Sequence, residues 1–211
     1  MDPIILIIQI IILLMSVVIH EVSHGTMANY LGDPTAKYAG RLSLNPIKHL
    51  DLWGSFLLPM FLLLIRSPFL FGWAKPVPVN FYNLRNQKWG PALVAAAGPG
   101  SNLIIALIFG LSLRFIPINS SIYINNLAQV FIYIVFINLL LAVFNLIPIP
   151  PLDGSKILFA ALPYRYQYII ANMERYGLIL LLFFIFFLFR FILPIIFWLF
   201  KLIVGTSPFL F

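Results

Sequence analysis

The sequence predicts an all-α polytopic membrane protein with about four transmembrane helices, a re-entrant segment and a short β-like loop. Composition is the first observation behind this prediction: of 211 residues, 62% are hydrophobic and only 9% are charged. Soluble domains are about half apolar and about a quarter charged, so most of this chain must face lipid or other helices. The second observation is a series of apolar runs, several of them long enough for the roughly 20 helical residues that cross a bilayer.

The predicted spans follow one another along the chain, separated by polar stretches. The first begins at Pro3 and continues towards Leu31. It has no positive charge at its start and no good cleavage site after it, so we interpret it as a retained helix rather than a signal peptide. The later spans are predicted at 91–116, 122–147 and 177–204. The run at 52–70 is interrupted by two prolines and an arginine.

Charge and cysteine content narrow the classes of function. The net charge is +7, but the 13 basic residues are scattered between apolar runs. That distribution is typical of membrane-flanking charges and excludes nucleic acid as a partner. Because the chain has no cysteine, any metal must be held by His, Asp or Glu.

A metal-binding pattern lies towards the end of the first apolar run, in His20-Glu21-Val22-Ser23-His24. Two histidines four residues apart share one helix face, so both imidazoles can reach one zinc ion with the glutamate beside its water. Ionisable residues at membrane depth are costly and are usually functional. The alternative is a helix end whose polar groups are satisfied at the membrane interface.

A catalytic zinc usually takes a third protein ligand. The candidates are His49, Asp33, Asp51, Asp153 and Glu174. Asp153 is favoured because it follows a long apolar run and a stretch with three prolines, which prevents regular helix and is typical of backbone that lines a cavity. The alternative for Asp153 is a plain turn in which it caps the next helix.

These motifs together resemble the site-2 proteases, the intramembrane zinc metalloproteases of peptidase family M50. The resemblance rests on His-Glu-x-x-His followed by Gly25, on Asn-x-x-Pro-x-x-x-Leu-Asp-Gly at 145–154, and on Ala-Gly-Pro-Gly-Ser-Asn at 97–102. The stretches 40–46 and 72–80 resemble the compact bacterial and archaeal subgroup that lacks PDZ and CBS domains. The match covers about residues 1–165, and the remainder, 166–211, is predicted to be a C-terminal transmembrane region.

The resemblance implies a function and a set of residues. It implies zinc as the cofactor, a transmembrane protein as the substrate, and hydrolysis of peptide bonds within or near membrane segments, in regulated intramembrane proteolysis or clearance of signal-peptide remnants. Asn102 and Asn145 would line the site and contact the oxyanion or the substrate backbone, or would instead bond neighbouring helices. The ligands would be His20, His24 and Asp153, with Glu21 as the catalytic base.

Depth and charge predict the topology. His20 and Asp153 must reach one zinc, which requires the first helix and the 122–147 helix to end on the same side of the membrane. This holds if 52–70 is re-entrant, and most basic residues then lie on the side of the site. The positive-inside rule makes that side cytoplasmic. We therefore expect a multi-pass protein of the cell membrane with its site towards the cytoplasmic leaflet.

Two other classes of function compete with the protease. A zinc-binding scaffold would need no base beside the metal, whereas Glu21 is present. A metal transporter would spread polar residues across the bilayer, whereas here they gather at one depth. Three features stay open at this point: the role of His49, the role of Arg190, and whether the extended segment 74–80 offers an edge for an unwound substrate.

Overall fold

The computed structural model describes residues 3–51, 54, 57, 60, 61, 64, 75–117 and 121–205. The helices whose bounds it describes are α1 (Pro3–Tyr30), α2 (Thr35–Tyr38), α3 (Gly90–Leu113), α4 (Ile122–Asn145), α5 (Asp153–Ala161), α6 (Gln167–Phe183) and α7 (Ile192–Val204). Short 3-10 turns lie at Pro46–His49, Phe81–Asn83, Tyr164–Tyr166 and Phe189–Phe191, and a π-helical turn lies at Phe184–Leu188.

In the described part of the chain, four helical stretches are long and apolar enough to cross a membrane: α1, α3, α4 and the stretch Tyr164–Val204. The predicted all-α class and the four predicted spans are therefore confirmed. The described residues contain no strand. The predicted β-like loop is an extended segment at residues 75–80 that pairs with no strand in the described part of the chain.

The hydrophobic core lies where α3, α4 and α7 pack together. Its fully buried members include Ala106, Val135, Leu139 and Ile196. Small residues allow the close approach, because a Cβ built on Gly110 of α3 would lie 2.4 Å from the Ile203 side chain of α7. The predicted C-terminal region 166–211 thus contributes α7 to the same core as the preceding helices.

A single arginine ties the ends of two of these helices together. Arg114, just past α3, donates from Nε to the Ile203 carbonyl at 2.7 Å and from a terminal nitrogen to the Leu202 carbonyl at 2.6 Å. The last carbonyls of a helix have no partner within the helix, so this cation satisfies them and complements the helix dipole.

The last membrane stretch is irregular in its middle. The π-helical and 3-10 turns at 184–191 precede Pro194, whose ring clashes with the carbonyl four residues earlier. Arg190 lies in this irregular stretch, is exposed, and its guanidinium carbon is 5.0 Å from the Phe191 ring centre.

The chain between α1 and α3 leaves and returns on the same side of the bundle. The amide of Arg85 donates to the Leu31 carbonyl at 2.9 Å, which places the end of α1 beside the approach to α3. The amide of Lys75 donates to the His49 carbonyl at 2.9 Å, so the two flanks of the 52–70 segment are adjacent. The predicted re-entrant segment itself lies largely outside the described residues.

A tight turn between α4 and α5 brings the chain back into the bundle. Three prolines, Pro148, Pro150 and Pro151, keep this stretch out of the helix, as predicted. Gly154 packs so tightly against the end of α4 that a Cβ built on it would lie 2.2 Å from the Leu146 carbonyl oxygen. The turn therefore delivers Asp153, the first residue of α5, towards α1.

Candidate active site

Three side chains from two distant parts of the chain meet inside the bundle. His20 and His24 lie one turn apart on α1, and Asp153 begins α5. Asp153 Oδ2 is 3.2 Å from His20 Nε2 and 3.2 Å from His24 Nε2. One ligand atom from each residue lies within 4.8 Å of the others, and His20 and Asp153 are buried.

The separations fit a zinc ion. Zinc bound tetrahedrally at about 2.0–2.2 Å places its ligand atoms roughly 3.3–3.6 Å apart, close to the spacing found here. The capping position of α5 is Leu152, and among the described residues the Asp153 carboxylate accepts from no backbone amide and lies against His20. The Asp153 carboxylate therefore contacts the histidines and does not cap α5.

The orientation of both imidazoles is set by oxygens behind them. His20 Nδ1 lies 2.6 Å from Asn102 Oδ1, and His24 Nδ1 lies 2.7 Å from the Val94 carbonyl. Since these oxygens accept, each Nδ1 donates, and in the neutral imidazole that binds a metal each Nε2 presents a lone pair. Two lone pairs then face the Asp153 carboxylate, an arrangement that a cation between the three atoms satisfies.

Space for these groups depends on a glycine of α3. A Cβ built on Gly98 would lie 2.5 Å from His24 Nε2 and 2.6 Å from His20 Nε2. No side chain is compatible with those distances, so the missing Cβ creates the recess into which the two imidazoles project.

Glu21 lies beside the cluster and is held by backbone. Its Oε2 accepts a hydrogen bond of 2.8 Å from the amide of Val77, in the extended segment. The N–H of Val77 is therefore already used within the protein and is not free to pair with a substrate at the segment 74–80.

A cavity of about 310 Å³ opens at this site. It is lined by the three clustered residues, by Glu21, by Pro76, Val77, Val79 and Phe81, and by Val94, Ala95, Asn145, Pro151 and Lys156. Asn145 donates one amide proton to the Leu141 carbonyl at 2.9 Å, which leaves a second N–H on the side chain. Of the two predicted asparagines, Asn145 is the one at the cavity wall.

Asn102 is placed behind the site rather than in it. It is fully buried, and its Nδ2 donates to Asn138 Oδ1 at 2.7 Å and to the Ser16 carbonyl at 3.4 Å, while Oδ1 faces His20. Asn138 in turn donates to Ser16 Oγ at 2.9 Å. With its amide group engaged in this way, Asn102 fixes the His20 ring and is not positioned to contact substrate.

The other candidate third ligands lie elsewhere among the described residues. His49 is buried and its Nε2 is bonded to the Ser43 carbonyl at 2.8 Å. Asp51 accepts from the Gly54 amide, and Asp33 holds the loop that follows α1. Glu174 lines a second cavity, of about 710 Å³, on the side of α5 and α6.

Sequence reasoning missed several residues that shape this site. Asn138 and Ser16 each lie in an apolar run, where a lone polar residue offers a weak signal that it bonds another helix. Val77 carries no signal at all, because its contribution is a backbone N–H. Gly98 was recognised only as part of a motif, without the reason that the structure supplies.

Comparisons with known proteins agree with this geometry. Residues 8–189 match the family model described as "Peptidase family M50". The chain is 38% identical over 183 residues to "Putative zinc metalloprotease YwhC" of Bacillus subtilis, a match covering 82% of this chain and 77% of that protein. It is 29% identical to "Putative zinc metalloprotease Rip2" of Mycolicibacterium smegmatis and 30% identical to the Rip2 of Mycobacterium tuberculosis, each match covering 62% of the relative. No solved structure gives a significant match.

The membrane-spanning helices and the cluster between them define the class: a multi-pass membrane metalloprotease with zinc as its cofactor. The chain belongs to peptidase family M50, which confirms the resemblance to a compact site-2 protease.

Proposed function

We propose that this protein is an intramembrane endopeptidase that hydrolyses peptide bonds within or near the transmembrane segments of other membrane proteins. The observation that carries the proposal is the placement of His20, His24, Asp153 and Glu21 around one cavity inside an apolar helical bundle. A hydrolytic site at that depth is of use only for a substrate that also lies in the membrane. The biological settings we propose are regulated intramembrane proteolysis and clearance of signal-peptide remnants.

Each site residue has a distinct role in this proposal. His20, His24 and Asp153 would hold zinc, which supplies water activation, by lowering the pKa of water to about 7, and polarisation of the scissile carbonyl. Glu21 accepts the proton of the attacking water and returns it to the leaving amine. Asn145, with a free amide N–H at the cavity wall, donates to the oxyanion or to the substrate backbone.

The size of the cavity supports an unwound substrate. An α-helix with its side chains is about 10–12 Å wide, which a cavity of about 310 Å³ cannot contain over even a few turns. The site therefore takes a few residues in extended form. In the extended segment, prolines 76 and 78 have no N–H and that of Val77 is taken, so a substrate strand would pair mainly through the Val79 amide and the carbonyls that Arg41 does not hold.

Glu21→Gln tests the proposed reaction. The substitution keeps the size of the side chain but removes the base, so cleavage of a purified transmembrane substrate is expected to fall by about 10²–10⁴-fold while zinc content is unchanged. Chelation of the wild type should abolish cleavage, and added zinc should restore it. Cleavage by the Gln variant at the wild-type rate would refute the mechanism, and zinc binding without any cleavage by the wild type would favour a scaffold.

The proposed orientation places the site towards the cytoplasmic leaflet. Because the chain has no cysteine, single cysteines can be labelled without background. We expect Lys37→Cys, on the exposed face of α2 near the site, to react with an impermeant reagent only after the inner face is exposed. Phe115→Cys, past the far end of α3 and 85% exposed, should react from outside. Labelling of both from one side, or of Lys37→Cys from outside, would contradict the orientation.

A further inference from the structure

An extended segment crosses the mouth of the site and is bonded at its middle and at both ends. We call residues 75–80 the strap. At its middle, the Val77 amide donates to Glu21 Oε2 at 2.8 Å. Because the neighbouring residues are prolines, this N–H is the one donor that the stretch 76–78 possesses. The described residues contain no hydrogen bond to the other oxygen, Oε1.

The first end of the strap is held by an arginine. Arg41 is buried, and its terminal nitrogen donates to the Lys75 carbonyl at 2.7 Å and to the Pro76 carbonyl at 3.4 Å. Its Nε is also buried and has no partner in the described part of the chain. Burying a guanidinium is costly. The buried guanidinium of Arg41 fixes the two carbonyls directly before Val77.

The second end of the strap is held by an aspartate. Asp33 is fully buried, with Oδ2 accepting from the Asn80 amide at 2.7 Å and Oδ1 from Asn83 Nδ2 at 2.9 Å. Burial alone would raise the pKa of Asp33, but hydrogen bonds from Thr35, Asn83 and Asn80 outweigh it and hold the pKa below its ordinary value. The carboxylate therefore stays ionised and anchors the strap as an anion.

The strap sits directly on α1, next to the site. A Cβ built on Gly25 would lie 2.8 Å from Val77 Cγ1 and 2.7 Å from Leu42 Cδ2. Glycine at this position lets Val77 approach the helix closely enough for its amide to reach Glu21 one turn earlier.

We propose that Arg41 and Asp33 are positioning residues for catalysis: by pinning the two ends of the strap, they hold the Val77 amide on Glu21 and fix the direction of its carboxylate. This inference rests on the proposed function of Glu21 as the base. The strap positions the base rather than blocking it, because the cavity beside Glu21 is open with the strap in place. Oε1 is then the oxygen available to take the proton.

Arg41→Met is the first test, made on the full chain with a purified transmembrane substrate. A base displaced by about 1 Å loses up to about 100-fold in rate, so kcat should fall about 10–100-fold. KM and zinc content should stay near the wild-type values. Arg41→Lys, which keeps a cation able to reach a carbonyl, should recover part of kcat, and Asp33→Ala should repeat the loss from the other end. Lys37→Met, which removes an exposed cation four residues away, is the matched control and should leave kcat unchanged.

A backbone variant keeps the inference testable if Arg41→Met does not fold. Incorporating the α-hydroxy acid of valine at position 77 replaces the N–H by an ester oxygen and leaves every side chain in place. It should lower kcat to the same extent as Arg41→Met, and the two changes combined should lower it no further. Hydrogen exchange on the zinc-free protein gives a readout that does not depend on activity: protection at Val77 should be lost in Glu21→Ala and in Arg41→Met.

The outcomes separate this inference from the proposed function. If the wild type cleaves, Glu21→Gln does not, and the ester variant keeps the wild-type kcat, the positioning role is overturned and the proposed function stands. A fall in kcat that occurs only together with loss of zinc also overturns the positioning role. Absence of any Glu21-dependent cleavage overturns both.

Discussion

Gly98→Ala is expected to remove zinc and activity together, although it adds a single methyl group. The new Cβ would lie 2.5 Å from His24 Nε2 and 2.6 Å from His20 Nε2, distances that non-bonded carbon atoms do not adopt. The two imidazole rings cannot turn away freely, because Asn102 holds Nδ1 of His20 and the Val94 carbonyl holds Nδ1 of His24. The loss should exceed the roughly 10²–10⁴-fold cost of removing the base, since water activation and carbonyl polarisation disappear as well.

Gly100→Ala is the matched control for this prediction. It lies on the same helix two residues later, and a Cβ there would have no heavy atom within 4 Å. Either change replaces glycine by the best helix former, which by propensity alone favours α3 by up to about 1 kcal/mol. We expect Gly100→Ala to keep zinc and activity. Metal analysis and a cleavage assay on both variants decide the matter, and a Gly98→Ala protein with full zinc content would show that the recess is not needed.

The difference between Gly98 and Gly100 could not be predicted from the sequence. Both belong to the stretch that resembles a family motif, and nothing in the sequence separates them. Their difference depends on which face of α3 meets α1, and that is decided by helix packing over long separations along the chain.

The parts of the site that could be predicted are those with a local pattern. His20, Glu21 and His24 are recognisable because four-residue spacing on a helix places two imidazoles on one face. Asp153 was predicted from a different kind of signal, a carboxylate after prolines at the end of an apolar run, and the structure places it beside both histidines. The four membrane spans were predictable because apolar length alone defines them.

The contacts that organise the site join residues far apart in sequence. Val77 meets Glu21 across 56 positions, Arg41 meets Lys75 across 34, and Asn102 meets Asn138 across 36. Two of these contacts use backbone groups, which every residue possesses and which no sequence pattern marks. For Asn102 the sequence left two roles open, contact with substrate or hydrogen bonds to neighbouring helices, and the amide of Asn102 is engaged in hydrogen bonds inside the bundle.

A buried network of hydrogen bonds runs behind the site. It is continuous because each polar group in an apolar bundle needs another polar group as its hydrogen-bond partner. From His20 it passes through Asn102 and Asn138 to Ser16 without leaving the interior. Each unsatisfied member would cost about 1–3 kcal/mol. The network therefore holds one ligand of the site rigidly, at a depth where water does not compete for its hydrogen bonds.

Asp153→Asn is the second change for which we expect a large effect, and it separates two roles of the residue. Asparagine caps a helix as well as aspartate does, so a residue that only capped α5 would tolerate the change in both stability and activity. A metal ligand would not, because the amide is neutral. We expect zinc content and cleavage to be lost to the same extent as in Gly98→Ala.

The stability of the zinc-free protein gives a second, independent readout. In that state the Asp153 carboxylate lies 3.2 Å from both Nε2 atoms, close enough for a shared proton to join the three groups in place of the metal. An asparagine amide can donate to one Nε2 without that proton, so the Tm of zinc-free Asp153→Asn should stay close to that of the zinc-free wild type. Glu174→Gln, an exposed acid away from the cluster, is the control and should change neither zinc content nor Tm. If Asp153→Asn instead lowered the Tm and kept its zinc, the residue would be a structural group of the α4–α5 turn, and the third ligand would have to be sought elsewhere.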